Sequence, residues 1–193
     1  MKYLRDIIVT IIAAIAFYIF LQLTIGTFKV NGTSSVPTVV PGDCLVVNKL
    51  SYLFKNPDRG EMIILHSPRA NDTDLIKRII ALPGDTIEIK NGKVFVNKMP
   101  VVEPYIKEPP RYEYPLQKIP EGEYFVLGDN RNVASDSHEG WYVPRENIVA
   151  KVWICYWPLN RWGVIKHYNF ATNGYATEVI DYILEAGTLW PKK

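Results

Sequence analysis

The sequence predicts a mainly β protein carried on a single N-terminal transmembrane helix. Three features carry that expectation. Residues 7–28 read IIVTIIAAIAFYIFLQLTIGTF without a charge. Beyond Phe28 the apolar residues fall into short alternating runs broken by Gly and Pro. And Thr86–Lys90 and Lys93–Asn97 are alternating runs joined by Asn91-Gly92, the strongest short hairpin signal, because a type I′ turn needs positive φ at both central residues.

The apolar segment comes first. At ~1.5 Å per residue, residues 7–28 reach ~33 Å, enough to cross a hydrocarbon core of ~30 Å. Ala14-Ile15-Ala16 resembles a cleavage site, but the apolar run continues well past it. A cut there would leave a hydrophobic stump, so the segment is expected to stay as an anchor. Lys2 and Arg5 precede it and Lys29 follows, which places residues 1–6 in the cytoplasm and the rest outside.

Residues 29–170 are expected to form the folded domain. Cys44–Asn48, Met62–Leu65, Tyr124–Leu127 and Ile148–Ile154 join the hairpin as strands. Residues 104–120 contain five prolines and predict an extended loop. In the 171–193 tail, Val179, Ile180, Ile183 and Leu184 have helical spacing ahead of Gly187.

Composition removes several functions. Without residues 1–28 the chain has 20 basic and 19 acidic side chains in no basic cluster, so nucleic acid is not an expected partner. His66, His138 and His167 are isolated, and Cys44 and Cys155 lack ligand spacing, so no metal site is expected. The cysteines are expected to be small buried apolar residues.

Three segments are dense in chemistry. Asn31-Gly-Thr-Ser34-Ser-Val-Pro37-Thr38 follows the span. There Gly32 would leave room for close backbone approach, and Thr38 would bond within the loop. Such a loop presents one hydroxyl and can aim a backbone N–H at a developing oxyanion. Asp74-Leu-Ile-Lys77-Arg78-Ile-Ile-Ala-Leu-Pro-Gly-Asp85 sets two cations side by side among apolar residues. In a strand they face opposite ways; an arginine keeps its charge and takes a carboxylate, whereas a buried lysine sheds its proton and becomes a base. Gly128-Asp-Asn-Arg131, followed by Asp136-Ser-His138, supplies carboxylates to hold Arg78 and orient the lysine.

Taken in order, Gly-x-Ser-x-x-Pro-Thr, Lys-Arg-x-x-x-x-Pro-Gly-Asp and Gly-Asp-Asn-Arg with Asp-Ser resemble the bacterial type I signal peptidases, in their short Gram-positive-like form. Arg59-Gly60-Glu61, Val143-Pro144 and Trp157-Pro158-Leu159 extend the likeness to about Gly163. The resemblance implies a β-rich catalytic domain with an apolar surface near the membrane, Ser34 as nucleophile and Lys77 as general base. It implies a serine endopeptidase that needs no cofactor and cuts signal peptides from exported preproteins after small-x-small, commonly Ala-x-Ala. Arg78 and Asp136 fall on positions thought to support the site through an ion pair, and Gly128, Asp129, Asn130 and Arg131 on a structural turn. Three residues depart from the family pattern: Ser35 for methionine, Ala134 for serine and His138 for arginine. Ser135 is expected to point away from the lysine. A self-cleaving repressor of related fold would carry a DNA-binding domain where this chain has its span.

Overall fold

The computed structural model describes residues 2–69 and 73–168. The helix expected over 177–186 lies outside the described residues. Helix α1 spans Lys2–Thr24, and its apolar stretch Tyr3–Gln22 packs against no other part of the described chain.

The apolar run read as one span divides. It leaves the helix at Thr24, and β1 (Ile25–Lys29) follows without a linker. Gly26 and the branched Thr24 and Thr27 are weak helix formers. Ile25–Lys29 instead gains a full ladder against β2 (Cys44–Asn48), from Ile25 opposite Asn48 to Lys29 opposite Cys44. Tertiary pairing outweighs apolar continuity here.

The described residues form twelve strands and a short helix α2 (Ser51–Phe54) between β2 and β3. After β2 come β3 (Met62–His66), β4 (Asp74–Ala81), β5 (Thr86–Lys90), β6 (Lys93–Val96), β7 (Met99–Pro100) and β8 (Tyr114–Lys118). Then follow β9 (Glu123–Leu127), β10 (Val143–Pro144), β11 (Ile148–Trp157) and β12 (Gly163–Val164). The larger sheet has the order β1-β2-β11-β3-β4-β9-β10, with β12 on β11; the smaller is β7-β6-β5-β8. Every strand pair is antiparallel.

The β5–β6 hairpin forms as the sequence predicts, with Asn91 at φ 50° and Gly92 at φ 70°. The expected 104–120 loop is corrected: Tyr114–Lys118 pairs with β5 as β8. Its Pro115 is tolerated because β8 is the edge strand, where a missing N–H breaks no second ladder.

Strand β4 is the centre of the domain. Its side chains enter three separate apolar clusters: Ile76 with Leu45, Met62 and Val152; Ile79 with Ile63 and Val126; Ile80 with Ile87 and Phe125. Burying a side chain of this kind is worth ~1.5–3 kcal/mol, so the position of β4 is strongly determined. At the other extreme, Trp153, Tyr156, Trp157, Trp162 and Val164 stay exposed on β11, β12 and the turn between them. Cys155 is buried and Cys44 half-buried, and they are not bonded to each other.

Candidate active site

Lys77 and Arg78 occupy the middle of β4, opposite Ile63 and Met62 of β3. Both are buried, at 2% and 0% exposure, and they leave the strand on opposite faces. Their surroundings differ completely.

Arg78 is fully satisfied. Its Nε and Nη2 donate to Asp129 at 2.9 and 2.8 Å, a two-pronged ion pair. Its Nη1 donates to the carbonyls of Gly60 (2.8 Å) and Lys166 (3.3 Å). The guanidinium also lies 4.2 Å from the Tyr105 ring centre and 5.2 Å from that of Tyr168. Among the described residues, no carboxylate pairs with Lys77. Burial drives its pKa below the ordinary 10.5, against an opposing pull from the more distant Asp136, Glu139 and Asp129. Desolvation wins because none of those charges reaches contact.

The Ser34 loop abuts this strand. The Ser35 hydroxyl is turned inward, 1% exposed, and donates to the Ile76 carbonyl at 3.0 Å. Ser34, next in the chain, is half-exposed. Two adjacent serines are therefore sorted by the backbone: one is a buried tie to β4 and the other keeps an accessible hydroxyl. A shallow cleft of about 100 Å³ opens beside them, bordered by Phe28, Gly32, Ser34, Leu75 and Ile76.

The 128–136 segment clamps the loop from behind. Asn130 N–H donates to the Ser34 carbonyl at 3.0 Å, and its side-chain amide donates to the Thr33 carbonyl at 3.1 Å. Gly128 lies so close that a Cβ on it would stand 2.4 Å from the Ser34 carbonyl oxygen and 2.5 Å from the Ala134 Cβ. This glycine is required for close approach. Gly32 is not, since a Cβ there would meet nothing within 4 Å, which corrects the role expected of it.

Two further expectations are corrected. Arg78 takes its ion pair from Asp129 and not from Asp136. Asp136 instead accepts from the Gly128 N–H at 2.9 Å and from His138, whose Nδ1 is 2.5 Å away. Asp129 follows the end of β9, whose Leu127 is in register with Arg78, whereas Asp136 caps the turn Ser137–Glu139. Thr38 bonds not within its loop but to Asp129, at 2.5 Å. Asp129 thus ties β4 and the far end of the serine loop together. The departures from the family pattern fit this frame: His138 still binds Asp136 and stacks on Tyr112 with ring centres 3.9 Å apart. Ser135 donates to Glu139 at 2.9 Å, away from Lys77 as expected.

A second buried hub lies outside the expected site residues. Glu61 accepts from Lys151 at 2.6 Å, Tyr52 at 2.7 Å and the Asp58 N–H at 3.2 Å. Burial works to raise its pKa, and these hydrogen bonds outweigh it and hold the carboxyl below its usual value. Arg59, its near neighbour, pairs with Asp85 of the Pro-Gly-Asp turn.

A β-rich domain fronted by an apolar helix, with a buried lysine on the strand that a serine loop abuts, is compatible with a peptidase. Comparison with known proteins narrows the class. The family model described as "Signal peptidase, peptidase S26" matches residues 3–157. A probable signal peptidase I-1 from Synechocystis is 36% identical over 88% of this chain and 90% of its own length. A signal peptidase I from Leptolyngbya laminosa is 39% identical over 79% and 81%. Signal peptidase IB from Staphylococcus aureus is 30% identical over 88% and 95%. The chain belongs to the signal peptidase (S26) family, and its activity is that of a signal peptidase I.

Proposed function

We propose that this chain is a membrane-bound serine endopeptidase in which Ser34 and Lys77 form the catalytic pair. One observation carries the reading: a buried lysine, with no carboxylate in contact among the described residues, sits on a strand whose preceding carbonyl is tied to the residue next to a half-exposed serine. Neutral Lys77 takes the Ser34 proton as the hydroxyl oxygen attacks the scissile carbonyl. The Ser34 N–H, which donates to no protein group among the described residues, stabilises the oxyanion. The protonated lysine gives its proton to the leaving amine. Lys77 then deprotonates the water that hydrolyses the acyl-enzyme, and Ser34 is regenerated.

The substrate is the signal peptide of an exported preprotein, cut after small-x-small. A cleft of about 100 Å³ is well below the ~300–1,000 Å³ of sites that take large groups, which suits a methyl-sized side chain. Helix α1 crosses the bilayer with its N-terminus in the cytoplasm, as Lys2 and Arg5 in its opening turns favour. The exposed tryptophans of β11 and of the turn before β12 suit the membrane–water interface on the far side. A substrate held in the same bilayer then meets the site at high effective concentration. Incubating the detergent-solubilised chain with a preprotein bearing Ala-x-Ala, followed by N-terminal sequencing of the product, tests the proposal. Cleavage after that motif is expected, with none in Ser34→Ala or Lys77→Ala. Cleavage that survives in either folded variant overturns the pair.

A further inference from the structure

The junction between helix and domain is tight on one side. Because β1 follows α1 directly, its partner β2 runs back toward the helix end, with Asn48 opposite Ile25. The next residue closes the junction: Lys49 N–H donates to the Thr24 carbonyl at 2.9 Å. Helix α2 follows at once. Five residues of fully extended chain cover ~17 Å, so Phe54 lies no farther than that from Lys49, and a helical path is shorter.

One side of α2 belongs to the domain. Tyr52 is 6% exposed and donates to Glu61, and its carbonyl accepts from Arg145. The other side has no partner. Leu53 is 71% exposed and Phe54 is 87% exposed, the highest value of any large apolar side chain among the described residues. Lys49 and Lys55 flank the pair, both exposed. An apolar tip between two cations, beside the end of an apolar helix, matches the composition of segments that lie in the headgroup region with their apolar side toward the acyl chains.

We propose that α2 is a second membrane contact, in which Leu53 and Phe54 enter the leaflet that α1 leaves and Lys49 and Lys55 face its phosphates. The occupant is the bilayer surface itself. The proposal rests on the reading of α1 as a membrane span. A contact beside the junction, added to that of the exposed tryptophans, limits pivoting about α1 and sets the height and tilt at which Ser34 meets a bilayer-held substrate.

The test uses the full chain with Cys44→Ser and Cys155→Ala, reconstituted in vesicles of neutral and anionic phospholipid. A polarity-sensitive fluorophore is placed on Phe54→Cys, on Ile12→Cys within α1 and on Leu116→Cys on the smaller sheet. Shallow nitroxide lipids should lower the signal at 54 by about twofold or more and leave 116 unchanged. A solvent-like, unquenched label at 54 overturns the proposal. A blue-shifted but unquenched label there also overturns it, because protein such as a second copy then covers the tip. Nitroxides placed deep in the acyl chains should quench the label at 12, and absence of quenching there is a failure of the anchor reading, distinguishable from failure of α2 alone. As a functional counterpart, Leu53→Asp with Phe54→Asp should leave cleavage of a short soluble peptide unchanged. The same variant should slow cleavage of a preprotein in vesicles several-fold, and equal rates on both substrates would contradict a role in presentation.

Discussion

The two faces of β4 carry the same kind of residue to opposite ends. On one, Arg78 is enclosed by Asp129, two carbonyls and two aromatic rings, so its charge is matched in full. On the other, Lys77 is almost as deeply buried with no ion in contact, so its charge is what the protein resists. One cation is fixed in place because it is satisfied, and its neighbour, lacking a partner in contact among the described residues, is the one proposed as the base. Guanidinium and ammonium chemistry makes this division possible: arginine holds its proton under any burial, while lysine gives it up.

The sharpest way to break the comparison is to remove each cation. Lys77→Met should reduce kcat/KM by at least ~10²–10⁴-fold, the range for loss of a general base, while thermal melting stays level or rises. The pH dependence follows from the sign of the shift. Between the lowered pKa and 10.5, the unfolded chain binds a proton that the folded chain rejects. Stability therefore rises with pH through that window, and so does the rate, since the neutral amine is the base. Lys77→Met should abolish the stability rise, and urea titrations at several pH values check it. A wild-type rate that stays flat from weakly acid to alkaline pH would contradict Lys77 as the base.

Arg78→Ala should act the other way round. It leaves Asp129 buried and unpaired, and the expected loss is ~3–5 kcal/mol of stability, read by denaturant unfolding. Arg78→Lys should recover little of it, because an ammonium cannot reproduce the two-pronged contact. A variant that stays stable would show that Asp129 finds another partner.

The glycines sharpen the view of the serine loop that abuts β4. Gly128→Ala forces the clamp off Ser34 and Ala134 and should lose ~1–3 kcal/mol, with activity falling alongside. Gly32→Ala should change stability by less than ~0.5 kcal/mol. Ser35→Ala falls between these two, removing the tie to Ile76 for ~1 kcal/mol. Its activity loss should exceed its stability loss if that tie sets the distance between Ser34 and β4, and parallel losses would make the bond merely structural.

Much of this arrangement was legible in the chain. Asn91-Gly92 specified its hairpin because only a primed turn suits two alternating runs. The Lys-Arg pair within an apolar segment announced two cations with different environments, because strand side chains alternate. What escaped were partners set by contacts distant in sequence. Asp129 and Asp136 are both acidic, both in one polar segment, and nothing local distinguishes them. Register does: Leu127 pairs with Arg78, which brings the residues just after β9 to the guanidinium. Tyr114–Lys118 looked like a loop because proline was counted against a strand, and an edge position removes that objection. Ser35 offered no hint of pointing inward.

By itself, the sequence determined the apolar helix, the β-rich domain behind it, the order of the motifs and the candidates Ser34 and Lys77. Each is a matter of local composition, spacing or motif likeness. Only the tertiary structure decided that the apolar run yields to β1 at Thr24, that Arg78 belongs to Asp129, and that of two adjacent serines one is buried and the other open. Those outcomes depend on which strands pair and how closely backbones approach, and such energies arise between residues far apart in the chain.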